Sequence, residues 1–164
     1  MAEMNAHDFS FAALAGGSLD LAQWRGRPLL VANTASLCGF TPQYADLAAV
    51  WRRYRERGLV VIGVPSNDFG EQEPGSAAEI QRFCETRYAV DFPLTEKQRV
   101  TGPGAHPFFR WIAEALGEAG APRWNFHKYL IAGDGALAGA WPSPVRPTDP
   151  MVIAEIEKLL PARG

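Results

Sequence analysis

One stretch governs what this chain can become. An apolar run from Pro28 to Thr34 breaks into a turn and re-emerges as a helical pattern from Pro42, with Cys38 at the junction. The run is short and mostly apolar, so it predicts a strand buried on both faces. Thr41 is positioned to cap the helix and Pro42 suits its first turn. Tyr44, Leu47, Ala48, Trp51 and Tyr54 then recur on one face until Gly58 ends it. A second apolar run, Leu59 to Val64, follows directly. Strand, helix and strand in that order call for a right-handed crossover and a parallel pair, which makes the chain α/β. In such sheets chemistry gathers at the carboxyl ends of the strands, here the loops holding Cys38 and Ser66 to Phe69. A cysteine just ahead of a helix meets free backbone N–H groups and the positive end of the helix dipole. Thiols so placed can fall from about 8.5 to between roughly 3.5 and 7.5 in pKa. The competing fate of a lone cysteine is to be a small, inert core residue, but strand, loop, Cys and helix in series both expose and activate sulfur.

The flanking sequence supplies the rest of the architecture. Phe9 to Ala15, the pair Gly16-Gly17 and Ser18 to Leu21 read as a lead-in β-hairpin. Phe69 to Gly75 has the composition of a surface loop, and Ser76 with Glu79 matches a capping box for a helix whose Ile80, Phe83, Cys84 and Tyr88 share one face. On that helix alone, Cys84 reads as a core hydrophobe. Ala89 to Leu94 looks extended, His106-Pro107 opens a helix through Leu116, and Gly117 to Pro122 forms a short loop. Trp124 to Ile131 and Leu137 to Trp141 flank Gly133-Asp134-Gly135, a hairpin signal that should add an antiparallel pair to the sheet. Asp149-Pro150 starts a last helix. No repeat, linker or second domain interrupts residues 1–164.

Several function classes are excluded early. With 47% hydrophobic and 21% charged residues the chain is an ordinary globular protein, and a net charge of −2 argues against a nucleic-acid surface. The longest strongly apolar run is far too short to span a membrane, and the N-terminal residues lack a basic segment followed by an apolar one. A cytoplasmic location is the default expectation. Two cysteines in a reducing compartment are more often free or redox-active than structural. His7, His106 and His127 are scattered without metal-ligand spacing, and no phosphate-binding or dinucleotide motif is present, so neither metal nor cofactor is expected. There is no Cys-x-x-Cys pair, which sets the chain apart from ordinary dithiol oxidoreductases.

Three motifs in order carry a resemblance: Asn33 to Tyr44 around Cys38, Val64-Pro-Ser-Asn-Asp-Phe-Gly-Glu-Gln-Glu-Pro-Gly75, and Trp124-Asn-Phe-His-Lys-Tyr-Leu130. Over nearly its full length the chain resembles the glutathione peroxidase family in its cysteine form. The resemblance implies a thioredoxin-like fold, with a central mixed β-sheet flanked by helices. It implies that Cys38 attacks the peroxide, that Trp124 and Asn125 lie beside the sulfur, and that Cys84 occupies the resolving position of the thioredoxin-dependent branch. Thioredoxin or glutathione is then the implied reductant. The family's oligomerising insertion is absent from the Gly117 to Pro122 loop, which implies a monomer.

One position departs from the family pattern: Asp68 stands where an amide donor is usual. An ionised carboxylate only accepts hydrogen bonds and opposes a nearby thiolate. Asp68 is therefore either held protonated or turned away while other donors serve. Ser66 replaces another family cysteine, which leaves Cys84 as the sole intramolecular partner for Cys38. The implied chemistry is attack of a Cys38 thiolate on the O–O bond, leaving a sulfenic acid that condenses with Cys84 and is reset by an external thiol. A peroxide sensor that hands its oxidation to a partner protein would use the same cysteines.

Overall fold

The computed structural model describes residues 4–161; the single-domain reading of 1–164 extends over three residues at each end that lie outside them. The predicted double-sided burial of the first apolar run holds: every residue of β3 (Leu29–Thr34) and β4 (Val60–Pro65) is buried. They pair in parallel, Leu29 opposite Val60 through Thr34 opposite Pro65, joined by α1 (Gln43–Tyr54). The predicted hairpin supplies β5 (Lys128–Ile131) and β6 (Leu137–Trp141), antiparallel to each other, with β5 antiparallel to β3. The mixed sheet therefore runs β4-β3-β5-β6.

Period-two alternation divides the core into two layers. Leu30, Ala32, Val61 and Leu130 face the side packed with Tyr44 and Leu47 of α1, Ile80 and Cys84 of α2 (Ala77–Tyr88), and Val152 and Ile156 of α4 (Pro150–Leu159). Leu29, Val31, Ile62 and Tyr129 face the opposite side, with Phe108, Phe109 and Ile112 of α3 (Pro107–Leu116). The lead-in hairpin, β1 (Ser10–Ala12) with β2 (Ser18–Asp20), forms its own antiparallel sheet. It is tied in by Leu14 N–H to Leu94 O at 2.9 Å and Glu96 N–H to Ala12 O at 2.8 Å.

Three local expectations are corrected. The segment Ala89 to Leu94 forms no strand and makes only an isolated bridge, Leu94 beside Gly63; Pro93 has no N–H to extend a ladder. Gly63 is what admits that approach, since a Cβ there would stand 2.6 Å from Leu94 Cδ2. Thr41 does not cap α1: the cap position is Pro42 and carries no side-chain bond. Finally, Trp124 to His127 lies outside the strand, which starts at Lys128. The Phe126 N–H donates to Asn33 O at 2.6 Å and the Asn33 Nδ2 to Trp124 O at 2.9 Å, so the end of β3 captures this segment before it can join the ladder. Phe126 takes φ +64° to comply, a conformation that costs a residue with a Cβ on the order of 1 kcal/mol or more.

Candidate active site

The Thr41 hydroxyl missing from the helix is spent on the cysteine loop. It accepts the Cys38 N–H at 2.9 Å and donates to Ala35 O at 2.8 Å, while the Thr41 N–H returns to Cys38 O at 3.0 Å. These bonds lock the turn so that Cys38 Sγ accepts the Phe40 N–H at 3.3 Å, one turn ahead of α1. The sulfur thus has a backbone N–H donor beside it, of the kind that favours negative charge. Cys38 is 8% exposed, near the surface yet shielded.

The second and third motifs meet this loop. Leu37 N–H donates to Gln72 O at 3.0 Å, and Asn125 Nδ2 donates to Gln72 Oε1 at 2.9 Å, so Gln72 ties the residue beside Cys38 to the Trp124-Asn125 segment. Asn125 is fully buried and its Oδ1 has no protein partner. Trp124 leaves 37% of its surface exposed and packs on Phe69 with ring centroids 5.7 Å apart. Gly70, at φ +67°, lets the indole lie against the backbone, since a Cβ there would come to 3.2 Å from the ring. Of the residues singled out in the sequence, Asn125 is linked to the cysteine loop in this way, while the Trp124 ring packs on the second motif at Phe69.

Asp68 is engaged elsewhere. Its Oδ2 accepts the Val100 N–H at 2.6 Å, the Thr101 N–H at 3.2 Å and the Thr101 hydroxyl at 3.3 Å, and its Oδ1 lies 4.0 Å from Arg99 Nε. Of the two alternatives left by the sequence, this is the turned-away orientation: the carboxylate ties down the loop at residues 99–101. The side chain that the second motif delivers to Asn125 is Gln72, which sequence reasoning passed over as part of a polar surface loop. Its signal was positional only, four residues beyond Asp68 in the same motif.

Cys84 occupies a different environment. It is fully buried on α2, and both cysteines are free thiols. Burial pushes the Cys84 thiol up to about 11; a Tyr44 hydroxyl against the sulfur pulls it down, and the Glu73 and Glu85 carboxylates push it further up. Behind the loop lies a buried amine. Lys128, with no exposed surface, donates from Nζ to Gln43 Oε1 at 2.9 Å and Ser143 O at 3.0 Å, and desolvation lowers it to about 7, opposed by Asp46. Gln43 is the first residue of α1, so this amine supports the helix that carries the site. Among the described residues no group of three or more His, Cys, Asp or Glu side chains is arranged to hold a metal, and no helix is long and apolar enough to cross a membrane.

Comparison with known proteins identifies the family. The glutathione peroxidase family model matches residues 6–113. The chain belongs to that family. It is 46% identical over 162 residues to the hydroperoxy fatty acid reductase gpx1 of Synechocystis, covering 94% of this chain and 95% of that protein. The crystal structure of Trgpx in apo form superposes with a TM-score of 0.74 at 33% identity, covering 98% of this chain and all of that one. A thioredoxin family protein of Chlorobium tepidum, a thiol:disulfide interchange protein, superposes with a TM-score of 0.72 at 15% identity over 98% and 99% of the two chains, a likeness of fold alone. The fold is thioredoxin-like, and this glutathione peroxidase is an oxidoreductase of the peroxidase class.

Proposed function

We propose that this glutathione peroxidase works through two cysteines, reducing hydrogen peroxide and organic hydroperoxides at Cys38 and resolving the product with Cys84. The observation that carries the reading is the Cys38 sulfur accepting a backbone N–H at the head of α1, beside a loop tied through Gln72 to Asn125. The Cys38 thiolate attacks one peroxide oxygen, the O–O bond breaks, and hydroxide or alkoxide leaves with its new charge. Gln72, Asn125 and the Trp124 indole are the donors for that developing charge. With Asn125 donating to Gln72 Oε1, the Gln72 amide keeps both of its own N–H groups for the sulfur or the leaving oxygen. Leu37, 64% exposed, and Trp124 give the site apolar shoulders suited to an organic hydroperoxide such as that of a fatty acid.

Resolution requires the two sulfurs to meet, and α2 is the element suited to yield. It buries only Ile80 and Cys84 fully, and its C-terminal cap is Ala89 at φ 51°, a left-handed conformation that costs a residue with a Cβ about 1 kcal/mol. Its first turn is fastened by the Ser76–Glu79 capping box, so opening proceeds from the Cys84 end. The resulting disulfide is exposed to exchange with an external thiol, thioredoxin or glutathione. The chain acts as a monomer. The test has two arms. Cys38→Ser should abolish peroxide consumption, because a serine hydroxyl is not ionised near neutral pH. Cys84→Ser should consume about one equivalent of peroxide and then stall with thioredoxin as reductant. Activity surviving in the first variant refutes the nucleophile; undiminished turnover in the second refutes the resolving role.

The burial and high pKa of Cys84 favour a second reading, in which oxidised Cys38 passes its oxidation to a partner protein before α2 opens. Steady-state peroxide consumption with thioredoxin and its reductase separates the two, since a relay needs its partner to turn over.

A further inference from the structure

The resolving thiol poses a problem that the peroxide-reducing residues do not solve. Cys84 is held as a neutral thiol in the core, yet the nucleophile that closes a disulfide is a thiolate. Something must take its proton at neutral pH. Glu73 is 1% exposed, and its Oε2 is buried without a protein partner. Buried carboxylates without a full set of partners are rare and costly, so one that persists calls for a reason.

Its position supplies one. Glu73 lines a cavity of about 280 Å³ whose other walls are Ser36 and Leu37 of the Cys38 loop and Ile80 and Phe83 of α2. The cavity thus separates the two cysteine-bearing elements, with the carboxylate in its wall. On the core side the Tyr44 hydroxyl lies against the Cys84 thiol and the Thr34 hydroxyl, and Tyr44 and Thr34 have no partner at full hydrogen-bond geometry. The backbone of Glu73 is fixed, its N–H donating to Asn67 Oδ1 at 2.9 Å.

We propose that Glu73 is the proton acceptor for Cys84 when Cys84 attacks the sulfenic acid of Cys38, a role that rests on the two-cysteine reading above. As α2 yields, the Cys84 sulfur moves into the cavity, where there is room for it without displacing packed core atoms. The Cys84 S–H bond breaks and its proton passes to the Glu73 carboxylate. The S–S bond forms with the electron pair of Cys84, the S–O bond of Cys38 breaks, and the departing hydroxide takes the proton from Glu73 to leave as water. No oxidant beyond the first peroxide is consumed. Desolvation raises the Glu73 carboxyl above the usual carboxylate range, opposed by the neighbouring Ser36 and by the Lys97 ammonium, which makes it a stronger proton acceptor than an exposed glutamate. The other ionisable groups facing this region are Tyr44, Cys84 and Glu85, with Glu79 in the cavity wall but fastened to Ser76.

The experiment follows disulfide closure by itself. One equivalent of hydrogen peroxide is mixed with the reduced protein, and the Cys38 sulfenic acid and the Cys38–Cys84 disulfide are quenched and counted by mass spectrometry over time. In Glu73→Gln, which keeps shape and burial, the sulfenic acid should persist on the order of 10²-fold longer. Closure at the wild-type rate in a variant with the wild-type circular dichroism overturns the role of Glu73. The pH profile gives a second reading: closure in the wild type should fall off on the acid side as the Glu73 carboxylate takes up a proton, and Glu73→Gln should lose that acid limb. Superimposable pH profiles in the two proteins overturn the role of Glu73. If the wild type forms no Cys38–Cys84 disulfide, the two-cysteine reading itself fails, an outcome distinct from normal closure in Glu73→Gln.

Discussion

Lys128 makes the stability of this protein depend on pH in a calculable way. Its amine has no exposed surface, meets only two neutral oxygens, and is lowered from 10.5 to about 7 by desolvation. The nearest acid, Asp46, is committed to Arg146, with N–O distances of 2.7 and 2.9 Å. Between pH 7 and 10.5 the unfolded chain therefore binds a proton that the folded chain does not, and stability rises with pH across that window. Integrating the two titrations, the amine costs the folded state about 4 kcal/mol at pH 7 and about 2 kcal/mol at pH 9. Lys128→Met removes this term while keeping most of the volume. The wild type should gain about 2 kcal/mol more than the variant between pH 7 and pH 9, which is about 4–8 °C in Tm for a chain of this size. Urea unfolding of both proteins at several pH values measures the difference directly and cancels every other titrating group. Parallel profiles for the two proteins would refute the reasoning, because they would mean that Lys128 keeps its proton when buried.

Two further substitutions address Asp68, for which the sequence left two orientations open, and Gln72, which it passed over. Asp68→Ala should loosen the loop at residues 99–101 and cost about 1–3 kcal/mol through the orphaned Val100 and Thr101 N–H groups, while the pH profile of Cys38 oxidation superimposes on that of the wild type; a shifted profile would mean that the carboxylate acts on the sulfur. Gln72→Ala should slow the oxidation of Cys38 by about 10²-fold, as loss of one donor to a developing oxyanion does elsewhere, and an unchanged second-order rate with peroxide would remove Gln72 from the chemistry.

The strand-helix-strand centre was legible because its signals are local and redundant. The apolar run at Leu29–Thr34, the face from Tyr44 to Tyr54 and the stop at Gly58 each specify the same unit. The capping box at Ser76 and Glu79 was equally local and forms as expected. What failed depended on which of several possible partners a group takes in the folded chain. Trp124 to His127 has the composition of a strand, yet Asn33, about ninety residues earlier, takes its backbone bonds. Thr41 is a good cap by type, but its hydroxyl is worth more closing the buried turn at Ala35 and Cys38. Gln72 sits between glutamates in a loop rich in glycine and proline, where composition predicts solvent and only the tertiary meeting with Asn125 gives it a site.

The two thiols are chemically the same group, and their surroundings divide the labour between them. Cys38 keeps 8% of its surface exposed, and its sulfur accepts the Phe40 N–H at 3.3 Å. Cys84 lies in the core beside carboxylates that oppose negative charge on its sulfur. On the two-cysteine reading proposed above, a peroxide meets Cys38 first, because Cys84 has no exposed surface and its thiol is pushed up to about 11 by burial. On the same reading, Cys84 reacts only when α2 loosens and its proton finds an acceptor. Such an order would protect Cys84 from direct oxidation, because the opening that exposes it would also bring it to a sulfenic acid at bonding distance.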